Sequence, residues 1–585
     1  MTRFRFAAVL GFTSSLILLP VMGSVTPASA STGAAASTGT VTYRGTPGTA
    51  ARVTHAAGVS ALPKVASAFR NEGPLMFTPL RPGGASSAAA PKASAAAAVT
   101  GVTRDAVSGA GQGAGSVIHR FNGLSNLNSD SLNGFPVTPP DQGLCVGRDA
   151  TLAGAPKSVW EPINLASRET SPSGTLLRPD VSLSTLFQDP YAEGDVRCLY
   201  DPATQSFYFT EIGFPVATGP ASDTNNTTVD VTVLNARGVA SYQFDTSLGG
   251  PSAGDCFGDQ PKTGFNNNAL VVSTDEYCGP TETDYRGAIV LAISKSQLVH
   301  EAATINDSVA GPVSLSGIPV TGLDPAIGTG SSNGYLVNSF AFDANGNNNA
   351  VANRVGIWTL RGSASVTTGH GTLVLTGHAT PSEPYVFPVP ARSTGDGSTT
   401  TVSGSVITSE EYLNPDDSRM SGPVTVSRAN GGGVQLWTAL DAAVPGTSGA
   451  TDAAAWFRIN PGTGRVTGQG YVAARGANLL YPAIQPQQHG SPAMVFTITS
   501  AHLNPSAAYT TLGSRTIRTV AAGTSPHVSF SDAPPYNTAR WGDYSFAALD
   551  PSGSGVWLAT EYIPPAADQD PMDNWGTSVF EVTGP

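Results

Sequence analysis

One phrase recurs along this chain. It reads GDVRCLYDPATQSFYFTEI from Gly194, GDQPKTGFNNNALVVSTDEY from Gly258 and WGDYSFAALDPSGSGVWLATEY from Trp541. Each copy has a polar start, a short apolar stretch, a turn rich in Gly, Asn or Pro, and a second apolar stretch. Recurrence at a fixed spacing points to a repeat architecture, in which each unit buries its faces against the next one.

The second stretches lay out the copies. They read FYFTEI from Phe207, LVVSTDEY from Leu270, YLVNSFAF from Tyr335, VQLWTAL from Val434, MVFTITS from Met494 and VWLATEY from Val556. A divergent first copy holds DQGLCVG from Asp141 and VWEPIN from Val159. The starts fall near Asp141, Asp195, Asp259, Asp324, Ser421, Tyr481 and Asp543. They lie close to 60 residues apart, except for about 97 between Asp324 and Ser421, which implies an insertion around 365–420. Third and fourth stretches follow most copies, such as RGAIVLAI from Arg286 and SYQFD from Ser241. Four antiparallel strands in each of seven units predict an all-β, seven-bladed β-propeller. The last copy lacks a fourth strand, and SVIHRFNG from Ser116 is expected to supply it and close the ring. A β-sandwich with an added domain is the alternative.

Composition agrees with strands. Charged residues make up 12% of the chain, against 66 Gly and 45 Pro, which disfavours long charged helices. The net charge of −12 argues against nucleic acid or an anionic membrane as a general partner. Arg3 and Arg5, an apolar run from Phe6 to Met22 and the Ala28-Ser29-Ala30 site read as a signal peptide over 1–30, so the protein is expected to be secreted and extracellular. No later segment is apolar enough to span a bilayer, and a monomer is expected. Residues 31–115 are rich in Ala, Ser and Gly and are expected to form a disordered leader or pro-segment before a domain at 116–585. The cysteines Cys145, Cys198, Cys256 and Cys278 suit an oxidising compartment. Three pairings are open. Cys256–Cys278 would close one hairpin, and Cys145–Cys198 would join similar points of successive repeats.

PPDQGLCVG from Pro139, SLSTLF from Ser182, YDPATQSFYF from Tyr200, DQPKTG from Asp259 and RWGDYSFAALDP from Arg540 resemble the landmarks of a group of secreted bacterial β-propeller proteins. The resemblance spans about 117–585 and implies the fold. It brings no activity, because that group has no reaction to carry over residue by residue.

In such a ring the first strands start at one mouth of a central channel. Asp141, Asp195, Asp259, Asp324 and Asp543 are therefore expected to gather there as a ligand-binding collar, with Glu211, Glu276 and Glu561 on the same face. Three roles suit them: acceptors of backbone N–H groups that lock neighbouring blades, ligands for calcium, or glycan chemistry. Calcium wants six to eight oxygens, and the loop with Asp343, Asn345, Asn347 and Asn349 offers them at alternate positions. A glycoside hydrolase or polysaccharide lyase would draw on Asp195, Glu211, Asp259, Glu276, Asp543 or Glu561, with His119, Tyr277, Tyr544 and His527 as candidate bases. The expected function is thus a secreted propeller that binds a cation, an extracellular polar ligand such as a glycan, or both. A carbohydrate-active enzyme and a structural or adhesive surface protein are the alternatives. Ser421 and Tyr481 leave a gap in the collar.

Overall fold

The computed structural model describes residues 39–69, 74–76, 115–214, 227–246, 256–279, 284–348, 351–370, 372–428, 433–446, 449–531, 538–553 and 555–584. The signal-peptide segment lies outside them.

The chain is a β-propeller. Four-stranded antiparallel meanders succeed one another over 145–182, 194–245, 256–315, 324–385, 425–472 and 478–521. We number these sheets first to sixth. A further meander, the seventh sheet, runs Phe546–Leu549, Val556–Tyr562 and Gly576–Thr583, and Ser116–Ser125 pairs antiparallel with its third strand. The first strand of each sheet lies beside the first strand of the next. Phe546–Leu549 of the seventh lies beside Cys145–Arg148 of the first. Both disulfides follow the pairings favoured from spacing: Cys145–Cys198 joins the first and second sheets, and Cys256–Cys278 crosses one hairpin.

Each sheet is covered on both faces, so its strands read as apolar runs with little alternation. The strand Ser206–Gly213 is buried along its whole length. Packing between sheets makes the core. Val271, Leu336, Ile357, Leu436 and Phe457 form one layer across the third to fifth sheets. Leu144, Leu199, Val231, Leu270 and Trp557 form another across the seventh and first to third. Trp541, Trp557 and Trp575 are fully buried in this packing.

Two expectations change. Part of the segment expected to be a disordered leader is built into the fold. Val41–Arg44 adds to the outer strand of the fourth sheet, and Thr46–Ala56 pairs with the outer strands of both the second and the third. The reason is the open edge that each meander presents: its unpaired N–H and C=O groups accept any extended segment, and the β-branched TVTYR and RVT runs supply one. The rest of 77–114 lies outside the described residues. The insertion is also shorter than 365–420. Val374–Tyr385 is the fourth strand of its own sheet, and the added segment is 386–424. Its hairpin, Thr399–Val402 with Ser405–Ser409, extends to Val528–Ser529.

Candidate functional site

At or near the starts of several first strands the backbone is in the left-handed region. Asp141 has φ 44°, Asp195 51°, Gly322 56° and Tyr481 53°. Such a conformation is costly for a side-chain-bearing residue and persists where neighbours fix it. The fixing group comes from the second strand, or just beyond its end, in the preceding sheet. Asn164 Oδ1 accepts the Asp195 N–H at 2.9 Å. Both carboxylate oxygens of Asp275 accept the Gly322 N–H at 3.0 Å. Those of Asp441 accept the Tyr481 N–H at 3.1 and 3.0 Å. The fourth lock is of another kind: Asp141, at the head of the first sheet, accepts the N–H of Asp543, which is not in the left-handed region, at 2.8 Å. Three of the four locking groups were thus not among the residues singled out from the sequence.

The Gly-Asp pair of the repeated phrase has a steric cause. A Cβ on Gly542 would lie 2.7 Å from Glu561 Oε1, and one on Gly258 3.0 Å from Glu276 Oε1. The second-strand glutamates pack over the glycines and are sealed from the channel. Glu276 accepts the Thr274 hydroxyl at 2.5 Å, and burial raises its carboxyl to about 8. Glu561 accepts the Thr560 hydroxyl at 3.1 Å and rises to about 8 for the same reason. Glu211 is fully buried in another cluster with Asp230, Asp189 and Glu193, and burial lifts it well above the usual range. The expected single face of eight acids is therefore split.

What the fold does gather is the centre. Carboxylate oxygens of Asp141, Asp195 and Asp543 lie within 4.8 Å of one another. Asp141 and Asp543 are buried, and Asp195 keeps partial exposure. Asn164 Nδ2 donates to Asp141 Oδ2 at 2.8 Å, and Gln260 Nε2 donates to Asp543 Oδ2 at 3.2 Å across the channel. Asp259 stands beside them, 6% exposed, with Oδ2 lacking a hydrogen-bond partner. Burial raises Asp141 and Asp259 well above the ordinary carboxylate range, and neighbouring carboxylates add to it. Burial pushes Asp543 to about 7 against the pull of Arg540. Asp324 sits apart with Lys262 Nζ 4.0 Å away, and burial sets it at about 6.

Cations that the sequence reading did not weigh share this centre. Arg540 pairs with Asp543 at 2.6 Å. Arg419 meets Asp417 at 2.9 Å, Asp416 at 3.2 Å and Asp275 at 3.3 Å. Arg197 lies over the Tyr544 ring at 3.4 Å. The gap expected at Ser421 and Tyr481 is filled from the insertion, whose NPDDSR segment from Asn414 brings Asp416, Asp417 and Arg419. The Tyr481 hydroxyl donates to Asn414 O at 2.6 Å and ties that segment down.

Other candidates lie elsewhere. Asp343 Oδ1 accepts the N–H groups of Asn345 and Asn347 at 2.8 and 3.0 Å, so its carboxylate closes its own turn. Asn349 lies outside the described residues. His527 is buried with Nε2 2.9 Å from Asp573, and His119 stacks on Trp557 in the outer strand. Tyr277 is buried against Tyr285. At the opposite end of the first strands is a cavity of about 690 Å³, lined by Leu144, Leu199, Phe265, Ile327, Val426 and Phe546.

No family model matches the chain, and no curated protein matches it. Solved structures similar to it include a protein of unknown function from Dyadobacter fermentans, at 9% identity and a TM-score of 0.29, covering 67% of this chain and 95% of that one. The Dos1 propeller is similar at 7% identity and a TM-score of 0.32, covering 81% and 94%. A GH43_1 enzyme from Xanthomonas citri is similar at 11% identity and a TM-score of 0.27, covering 55% and 87%. Among the described residues no helix is long and apolar enough to cross a membrane.

Proposed function

We propose that this chain is a secreted seven-bladed propeller, its ring closed by Ser116–Ser125, that holds a hard divalent cation at its centre. Calcium is the cation of choice. The observation that carries this reading is the convergence of Asp141, Asp195 and Asp543 oxygens within 4.8 Å. Three carboxylates that close in buried surroundings cannot all stay ionised unless a cation or protons join them. Hard cations take carboxylate and carbonyl oxygens, and the partly exposed Asp195 gives an approach from solvent. The unpartnered Asp259 Oδ2 adds a further oxygen beside the trio. The locked geometry around Asn164 supplies the preorganisation that such a centre needs.

The test is titration calorimetry of the EDTA-stripped protein with calcium, with magnesium as the comparison. We expect one saturable calcium site that Asp195→Asn weakens at least tenfold, and a thermal midpoint that rises with calcium. No heat and no shift in the wild-type protein would refute the reading.

A further inference from the structure

Buried cations in this fold have carboxylate partners, with one exception among the described residues. Arg540, Arg419, Lys262 and Lys295 each face an aspartate, the last at 2.9 Å from Asp201. Arg178 pairs with Glu169 at 2.5 Å and also with Asp149. Arg197 is 3% exposed, yet among the described residues no carboxylate oxygen lies within 4.0 Å of its nitrogens. Its Nε is enclosed without an acceptor. The guanidinium carbon lies over the Tyr544 ring, 3.4 Å from its centroid, with the Phe546 ring at 5.7 Å. The Tyr544 hydroxyl is itself buried and lacks a partner. Arg197 follows Asp195 by two residues on the strand Gly194–Asp201, and both groups act electrostatically on Asp195.

A guanidinium taken out of water without an acceptor is costly, and removing such a charge is often stabilising. Its presence two residues after Asp195 points to a partner from outside the chain. We propose that Arg197 and Tyr544 form an anion subsite that receives the carboxylate of a small ligand bound beside the central cation. This rests on the cation reading above. A carboxylate suits the planar fork of a guanidinium, and the aromatic ring beneath supports it. The Tyr544 hydroxyl can donate a further bond to the same oxygen pair. A monoanion fits better than a phosphate or sulfate dianion, because Asp141, Asp195, Asp259 and Asp543 crowd the same space. The carboxylate could be that of an acidic sugar or of a simple organic acid.

Calorimetry with glucuronate, acetate and neutral glucose, in calcium and in EDTA, separates these cases. We expect glucuronate or acetate, and not glucose, to bind the calcium-loaded protein. Arg197→Gln should weaken that binding at least tenfold, and Tyr544→Phe severalfold. Arg197→Gln should not lower the thermal midpoint, whereas a purely structural arginine would lower it. Stronger binding of glucuronate than of acetate assigns the sugar acid, and the reverse assigns the simple acid. If calcium fails to bind but a carboxylate still binds in EDTA and is lost in Arg197→Gln, the cation reading falls and the anion subsite stands. If neither acid binds the calcium-loaded protein, or Arg197→Gln binds as well as wild type, the anion subsite is overturned.

Discussion

Asn164 is the residue whose loss should show most directly how the centre is held. It is fully buried and donates to Pro139 O and to Asp141 Oδ2, both at 2.8 Å, while its Oδ1 accepts the Asp195 N–H at 2.9 Å. Asn164→Ala removes all three bonds and leaves a buried N–H and a carboxylate oxygen unmatched. At about 1 kcal/mol net for each bond, and more for the charged one, the loss should be about 3–5 kcal/mol. Asn164→Asp separates the parts of that sum. It keeps the acceptor for Asp195 and replaces the donor by an oxygen 2.8 Å from Asp141. Two ionised oxygens there would repel by about 6 kcal/mol at an effective dielectric of 20, so the pair must retain a proton. Asn164→Asp, which at pH 5 still loses one of the two donor bonds, should lie about 1–2 kcal/mol below wild type there and fall further by pH 8. Guanidinium denaturation followed by the fluorescence of Trp541, Trp557 and Trp575 reads both variants. An alanine variant within 0.5 kcal/mol of wild type at unchanged slope would refute the locking role.

Two further outcomes follow from the buried acids and the N-terminal arm. Glu276 and Glu561 are raised to about 8 and Asp543 to about 7, all chiefly by burial. Their folded values lie above the unfolded ones, near 4, so the folded state binds more protons between those limits. Stability should be fullest below about pH 4 as far as these groups decide it, and should be lost as pH rises towards 8. Calorimetric melts in EDTA from pH 5 to 8.5 should show a falling midpoint that calcium partly restores at pH 8; a flat or rising profile would contradict the assignment. Deleting residues 39–56 should bare the outer strands Gly238–Asp245 and Thr304–Leu315. Faster amide exchange at 239–242 and 304–309, with self-association by light scattering, is expected, and unchanged exchange at both would show that the arm holds nothing.

The strand vocabulary and the repeat were legible in the sequence because they are local. A second strand such as Ser206–Gly213 is buried on both faces, so its composition alone marks it. The first-strand starts at Asp141, Asp195 and Asp543 were legible because a polar residue must precede each apolar run. The Cys145–Cys198 pairing followed from similar positions in successive units, and Cys256–Cys278 from its place across one hairpin. The arm strands were missed because an edge strand needs little apolar surface: only Ala50 of Thr46–Ala56 is buried. Its place is set by backbone bonds to two other sheets, which leave no compositional trace.

By itself the sequence determined that this is a β-repeat chain with acids at the heads of its units. The tertiary structure decided which of those acids meet. Glu211, Glu276 and Glu561 share spacing with the central aspartates, yet Glu276 and Glu561 pack against hydroxyls and glycines, and Glu211 joins a separate buried acidic cluster. Arg197, Arg419 and Arg540 carry no repeat signature, yet closing the ring brings them from the second sheet, the insertion and the start of the seventh to one point. Charge at a buried centre is a property of groups distant in the chain and within a few ångströms in space, and only the folded ring fixes those distances.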